Sequence, residues 1–271
     1  MALTPFQRAV CHLLAERRIA SGESYVAGGG ALGEATRSGR ISQDIDLFHD
    51  TTQAVAECWE LDRELLESQR HTVRVLRERP SFVEAIVSQG DASVLVQWAA
   101  DSAYRFYPLA EHPEFGLTLS PFDLATNKVL ALIGRVEARD WIDVIASHES
   151  IQSLGYLAWA ACGKDPGFSP ASILEQAART ARYSEDEIAA LAFEGAAPNA
   201  SELSRTWHAM LDEARAIVAA LPPSRAGSCV LDADGELFRG SQADLKKAVA
   251  TDSLQFRSGS IRGVLPTIRN A

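Results

Sequence analysis

The sequence lacks the features that mark secreted, membrane-spanning and zinc-ribbon proteins. Its four cysteines, Cys11, Cys58, Cys162 and Cys229, lie far apart, and no pair has redox or metal-ligand spacing. No apolar run approaches the length that spans a bilayer, and the N-terminus has no basic start followed by an apolar core. We therefore expect a cytoplasmic protein without a membrane partner, whose thiols are reduced and mostly buried.

The chain is also short of positive charge. Its 271 residues include 26 Lys and Arg against 36 Asp and Glu, which gives a formal net charge of −10. Proteins that coat nucleic acids gain affinity by neutralising phosphates, so this balance argues against that class. A local basic patch is still compatible with the sequence, because arginines are dense in one stretch, at Arg63, Arg70, Arg74, Arg77 and Arg79. Taken singly, each is typical of a solvated surface.

The content of the chain is that of a globular protein. Hydrophobic residues make up 46% and charged residues 23%, enough for one large domain or two smaller ones. Strand-like and helical patterns mix in the first half, whereas alanine-rich helical patterns dominate later. We predict an α+β fold, with a mixed sheet in residues 1–150 and a mainly helical domain in residues 151–271. A short hairpin is expected near residues 229–238.

The strongest chemical signal lies in residues 25–50. An apolar run leads into three consecutive glycines, and the sequence Asp44-Ile-Asp46-Leu-Phe follows about a dozen residues later. In a strand, alternate side chains share a face, so Asp44 and Asp46 point one way and the apolar residues the other. Mg²⁺ takes one or two carboxylates together with substrate phosphates. Asp44 and Asp46 are therefore predicted to bind Mg²⁺ beside substrate phosphates.

Residues between the glycines and the acidic pair are candidates for phosphate binding. Gly29 and Gly30 allow the backbone to come close to phosphate oxygens, and a helix expected over residues 31–36 offers N–H groups at its start. Arg40 and Ser42 supply side-chain donors just before Asp44.

Two other interpretations of this stretch are open. Gly28-x-Gly30-x-x-Gly33 matches the dinucleotide-binding fingerprint, with Asp46 or Asp50 near the place of a ribose-binding acid. That fold requires strands and helices that keep alternating, which the later chain does not supply. The remaining alternative is a glycine turn before an ordinary edge strand with an outward acidic face.

Two blocks of residues resemble one protein family. Gly29-Gly30, followed by Arg40-x-Ser42-x-Asp44-Ile-Asp46-Leu-Phe, resembles the first motif of the AbiEii/AbiGii abortive-infection nucleotidyltransferases, which belong to the DNA polymerase β-like superfamily. The block from Lys128 to Arg135 and on through Arg139-Asp140-x-x-Asp143 resembles the later motif. Both blocks lie within the first 150 residues, in the family's order.

The resemblance implies a mixed-sheet nucleotidyltransferase core and Mg²⁺-dependent transfer of a nucleoside monophosphate from an NTP, with release of pyrophosphate. It implies catalytic roles for Asp44, Asp46, Lys128 and Asp143. It also implies nucleotide binding by Gly29, Gly30, Arg40, Ser42, Arg135, Arg139 and Asp140. Lys128 would contact phosphate, and one of Asp140 and Asp143 would assist transfer, with Asp143 favoured. The alternative for this second block is a structural salt-bridge network.

The acceptor and the partners also follow from the resemblance. Toxin members of the family modify RNA, typically the ends of tRNA, and are paired with an antitoxin, so RNA and a cognate antitoxin are the implied partners. Many polymerase β-like enzymes carry a third metal-binding carboxylate on a strand where this chain has Gln97, a neutral and weaker ligand. A catalytically silent nucleotide-binding module therefore stays open, as does transfer to a protein or a small molecule.

Overall fold

A computed structural model describes residues 3–180 and 182–263, without the side chain of Thr180. Helices combine in it with a seven-stranded mixed sheet, which confirms the predicted α+β class. The chain forms two compact units. The first contains the described residues up to 103 together with 108–120 and 192–194, and the second contains the other described residues. No described helix has both the length and the apolar character needed to cross a bilayer.

The strands and helices are numbered here in chain order. The strands are β1 (Ser24–Ala27), β2 (Asp44–His49), β3 (Thr72–Arg79), β4 (Phe82–Gln89), β5 (Ala92–Ala100), β6 (Tyr104–Arg105), β7 (Ala110–His112), β8 (Gly116–Thr118), β9 (Ser228–Leu231), β10 (Gln255–Ser258) and β11 (Ser260–Ile261). The helices are α1 (Pro5–Ser21), α2 (Gly28–Thr36), α3 (Thr52–Ser68), α4 (Pro121–Arg135), α5 (Ala138–Ser150), α6 (Leu154–Ala161), α7 (Pro170–Thr180), α8 (Glu185–Ala189), α9 (Ala200–Ala220) and α10 (Gln242–Ala250).

The large sheet of the first unit has the strand order β3-β4-β5-β2-β1-β8-β7. Strand β2 runs parallel to β5 and β1 runs parallel to β8, while the other neighbours are antiparallel. The sheet is therefore not the doubly wound parallel sheet of a dinucleotide-binding domain, and that alternative is wrong. The edge-strand alternative is also wrong, because β2 is paired on both sides.

The sheet has one face packed against helix α3. Trp98 of β5 is fully buried on this face, where its ring centroid lies 4.8 Å from that of Trp59 in α3. An aromatic pair of this kind contributes about 1 kcal/mol beyond the area it buries. The indole N–H of Trp98 also donates to Asp62 of α3 at 2.9 Å. Because side chains alternate along a strand, the residues next to Trp98 in β5 face the other side.

The second unit is mainly helical. Its apolar core joins α6, α9 and β9 through residues such as Tyr156, Ile217 and Val230. In the region of the expected hairpin, the Asp232 N–H donates to the Glu236 carbonyl at 2.8 Å, and Leu231 forms a single bridge with Leu237. Strand β9 pairs along its whole length with β10, residues 255–258.

Candidate active site

The acidic pair lies on the sheet face opposite α3. Ile45 and Leu47 are 2% and 0% exposed, whereas Asp44 and Asp46 are partly exposed on the other side of β2. The alternation predicted from the sequence is therefore confirmed. The two carboxylates share one face at alternate positions of a strand in the middle of the sheet.

Gly28 lies directly against Asp46. A Cβ atom built at Gly28 would come within 1.7 Å of the Asp46 Oδ2 atom, and Gly28 has a φ of +66°. Contact and conformation both exclude a side chain at this position. The cause is the pairing of β1 with β2, which sets Ala27 opposite Asp46 and so brings the next residue beside the carboxylate.

The glycines form the first turn of a helix. Helix α2 begins at Gly28, three residues earlier than the sequence suggested, and Ala27 at its N-cap provides no side-chain hydrogen bond. The first N–H groups of any helix have no intrahelical acceptor, and the helix dipole is positive at this end. The start of α2 is therefore a place where phosphate oxygens can be bound, and it adjoins Asp46.

Arg40 and Ser42, the two candidate phosphate donors, lie over this turn. A Cβ atom at Gly29 would be 2.5 Å from the Arg40 Nη2 atom and 3.2 Å from the Ser42 Oγ atom. The Ser42 hydroxyl donates to the Asp44 Oδ1 atom at 2.9 Å, so it orients that carboxylate. Gly30 serves packing, since a Cβ there would be 2.9 Å from Leu3.

The segment that carries Arg40 and Ser42 is held from two sides. The Gln7 side chain of α1 donates to the Ser42 carbonyl at 2.8 Å. The stretch 192–194 pairs with residues 39–41, and the Ile41 N–H donates to the Ala192 carbonyl at 2.9 Å. Arg40 and Ser42 are only 4% and 2% exposed, so both donors are held in place rather than free to move in solvent.

Gln97 lies beside Asp46 in the sheet. Asp46 pairs with Gln97 across β2 and β5, and Gln97 pairs with Glu84 across β5 and β4. The Gln97 amide donates to the Glu84 carboxylate at 2.9 Å, which leaves its amide oxygen as an acceptor. Sequence reasoning missed Glu84. The alternation of Phe82–Gln89 places it on the polar face, but only the strand register shows that it lies in one row with Asp46.

The acidic pair fits a magnesium ion. In the described ranges, no cluster of three or more His, Cys, Asp and Glu side chains is arranged to hold a metal on its own. Mg²⁺ is typically bound by one or two carboxylates, with substrate phosphates and water completing the shell. Two carboxylates on one face, next to a helix start that suits phosphate, match that mode. The absent side chain at Gly28 leaves room for the Asp46 carboxylate itself.

The second block forms a cluster around two buried carboxylates in the other unit. The Lys128 Nζ atom of α4 lies 2.9 Å from Asp140 Oδ1 and 3.2 Å from Asp143 Oδ2, both in α5. Arg135 donates to both Asp140 oxygens, at 3.2 and 3.1 Å. Asp140 and Asp143 are 0% and 1% exposed. The seven-residue spacing of Lys128 and Arg135 therefore does place them on one helix face.

Arg139 has a different partner from the other members of the second block. It forms an ion pair with Glu137 at the start of α5. Lys128, Arg135, Asp140 and Asp143 thus come together in the second unit, while Asp44, Asp46, Gly29, Gly30, Arg40 and Ser42 come together in the first.

Comparison with known proteins relates the fold to nucleotidyltransferases. No protein-family model and no curated sequence matches the chain. The structure resembles that of a proposed nucleotidyltransferase from Helicobacter pylori with a TM-score of 0.50 and 14% identity, over 80% of this chain and 94% of that one. JHP933 from Helicobacter pylori and MenT4, a nucleotidyltransferase toxin from Mycobacterium tuberculosis, each match with a TM-score of 0.48 and 14% identity. The two matches cover 79% and 91% of this chain, and 90% of the length of each matched protein. The first of these matches shows that the chain has a nucleotidyltransferase fold.

Proposed function

We propose that this protein is a Mg²⁺-dependent nucleotidyltransferase, which moves a nucleoside monophosphate from an NTP to an acceptor and releases pyrophosphate. One observation carries the proposal: the Asp44 and Asp46 carboxylates share a face beside the glycine start of α2. A carboxylate pair next to free backbone N–H groups suits a metal–triphosphate complex. The nucleotidyltransferase fold supports the same conclusion.

In this proposal, the residues of the first unit bind the metal, bind the triphosphate and orient a carboxylate. Asp44 and Asp46 would hold the magnesium ion, which when bound neutralises phosphate charge and polarises the α-phosphate. The N–H groups of Gly29 and Gly30 would bind triphosphate oxygens, with the Arg40 guanidinium beside them. Ser42 keeps Asp44 oriented through its hydroxyl. The oxygen of an acceptor hydroxyl would attack the α-phosphorus and lose its proton, while the bond from the α-phosphorus to the bridging oxygen breaks and that oxygen leaves with pyrophosphate.

The cluster of the second unit has a role in the proposal that depends on the family resemblance. We assign Lys128 to phosphate contact and Asp143 to assisting transfer, with Arg135, Arg139 and Asp140 in nucleotide binding. The hydrogen bonds from Arg135 to Asp140 support giving the transfer role to Asp143, because Asp140 already orients an arginine.

The acceptor in this proposal is RNA, with tRNA ends as the favoured class and a cognate antitoxin as partner. Both follow from the resemblance to toxin members of the family. A second candidate function is a silent nucleotide-binding module, which Gln97 favours because it puts a neutral amide next to Asp46. Transfer to a protein hydroxyl or a small molecule is a third outcome.

The test supplies NTPs labelled on the α-phosphate with Mg²⁺ and, separately, total RNA, a protein lysate and a metabolite pool. Label should appear on RNA and be lost in the double variant Asp44→Asn, Asp46→Asn. Asp91→Asn, at the exposed β4–β5 turn, is the control with the same chemical change. Calorimetry of Mg²⁺ and NTP binding gives a second readout. Unchanged binding in the double variant would overturn the metal assignment, and binding without any label would favour the silent module.

A further inference from the structure

Three arginines of β3 share the sheet face of the acidic pair. Residues paired directly in neighbouring strands point to the same side of a sheet. Arg77 pairs with Glu84, Glu84 with Gln97, and Gln97 with Asp46. Arg74 and Arg79 pair with Ile86 and Phe82, which alternate with Glu84 on the same side of β4. We call Arg74, Arg77 and Arg79 the β3 arginine row.

This arrangement depends on an irregularity at Leu76. Arg74 and Arg77 are three residues apart, so in a regular strand their side chains would point to opposite faces. The register shifts between Val75 and Arg77, which leaves Leu76 without a paired residue on β4. One extra residue of this kind is a β-bulge, a feature found at sheet edges and beside active sites, where it re-aims side chains. The bulge turns all three arginines toward the face of Asp46.

The charge of the row is exposed. Strand β3 is at the edge of the sheet, and its residues from 74 to 79 are all exposed. In the described part of the chain, the row has no carboxylate within ion-pair distance. The Arg77 guanidinium lies over the half-buried Phe82 ring, 5.6 Å from its centre. Glu84, its neighbour in the register, accepts instead from Gln97.

The other arginines of the stretch belong elsewhere. Arg63 is on α3, which covers the opposite face of the sheet, and it is paired with Glu67 at 3.4 Å. Arg70 lies in the turn before β3, outside the paired strand. The dense basic stretch of the sequence is thus divided by the sheet, and three of its five arginines lie on the face of the acidic pair.

We propose that the β3 arginine row binds the sugar-phosphate backbone of a single-stranded RNA acceptor, an inference that rests on the proposed function. Three strand spacings separate Asp46 from Arg77, or about 14 Å. An RNA whose end reaches Asp46 would therefore place a nearby part of its backbone over the row. Guanidinium groups match phosphates in a planar, bidentate geometry, and Phe82 offers a partly exposed ring for stacking a base.

The test measures binding of a short fluorescent single-stranded RNA by anisotropy, without NTP, across a series of salt concentrations. The variant is Arg74→Gln, Arg77→Gln, Arg79→Gln. The matched control is Arg63→Gln, Arg70→Gln, which changes the same residue type in the same stretch. Three lost phosphate contacts should weaken binding at least about tenfold and reduce the slope of log K against log salt by about 2. The control should bind like the wild type.

Three outcomes would overturn the inference. Wild-type affinity and salt slope in the row variant would remove the row from RNA binding. Binding of an acidic peptide through the row, with RNA unaffected, would make it a protein-binding surface. Label transfer is measured separately, so the two proposals fail separately. RNA binding that depends on the row without any transfer refutes the proposed function alone, and transfer that ignores the row refutes this inference alone.

Discussion

Substituting Gly28 by alanine tests the position of the Asp46 carboxylate most directly. A Cβ atom at Gly28 would lie 1.7 Å from Asp46 Oδ2 and 2.9 Å from Asp46 Cβ. Rotating the carboxylate relieves the first contact but not the second, so the β2 backbone must also shift. Gly22 is a matched control. It has the same φ of +66°, and nothing lies within 4 Å of a Cβ built there.

Gly22→Ala and Gly28→Ala both introduce backbone strain, but only one of them also displaces Asp46. Both place alanine in the left-handed region, which costs about 1–2 kcal/mol of unfolding free energy. Only Gly28→Ala adds the cost of moving Asp46. A misplacement of about 1 Å in a catalytic group lowers turnover by on the order of 100-fold. We therefore expect Gly22→Ala to keep full transfer activity and Gly28→Ala to lose about two orders of magnitude.

Urea unfolding, calorimetry of Mg²⁺ and NTP binding, and initial rates of label transfer measure these effects on the same preparations. Rates are compared at a temperature where both variants are fully folded. If Gly28→Ala retains as much activity and metal-dependent NTP binding as Gly22→Ala, Asp46 does not serve the reaction from the position that the structure gives it.

Three further predictions concern buried or paired groups. Burial lowers the pKa of His49 to about 4, so the folded protein loses stability as pH falls below 6.5, the pKa of this histidine in the unfolded chain. Between pH 6.5 and 4, the unfolding free energy of the wild type measured in urea should fall by about 3 kcal/mol more than that of His49→Gln. Equal losses in the two proteins would contradict the burial. Gln97→Glu adds a carboxylate next to Glu84, so repulsion between the two carboxylates should lower the melting temperature in the absence of metal. Because the new carboxylate also lies next to Asp46, calorimetry should show Mg²⁺ binding about tenfold tighter. Weaker binding would place the metal elsewhere. Lys128→Met leaves the buried Asp143 without its ammonium partner and should lower the unfolding free energy measured in urea by about 3–5 kcal/mol. Full turnover of the folded variant would make the cluster purely structural.

The acidic pair could be predicted because its signal is local. A strand has a period of two, and Ile45 and Leu47 had to be buried, so the face of Asp44 and Asp46 followed. The seven-residue spacing of Lys128 and Arg135 gave their shared helix face in the same way. Each of these predictions required only one element and its core.

The start of α2 could not be predicted in this way. Glycine is a poor helix former, so three glycines in a row indicate a turn before a helix rather than its first residues. Contacts from distant residues overrule that preference. Asp46, Arg40 and Leu3 each approach one of the glycines so closely that a Cβ would collide with them. The sequence shows the glycines, but only the fold shows what lies against them.

The placement of Glu84 and the β3 arginine row relative to Asp46 depends on register, which involves three strands for Glu84 and four for the row. The sequence of β3 alone puts Arg74 and Arg77 on opposite faces, and the unpaired Leu76 reverses that result. A bulge leaves little trace in composition, because any exposed edge residue can occupy it. The sequence therefore identified a basic stretch near the site, but not which of its members face Asp46.

The charge pattern of this face has a consequence for turnover. A chain with a net charge of −10 repels a polyanion at long range, and the three exposed arginines of the β3 arginine row oppose that repulsion on the face of Asp46. So few phosphate contacts predict weak RNA binding with a shallow salt dependence. In the proposed reaction, weak binding of the backbone would allow the RNA product to be released after one transfer. Discrimination between acceptors would then depend on contacts at the acceptor end, beside Asp44 and Asp46, rather than on the length of RNA along β3.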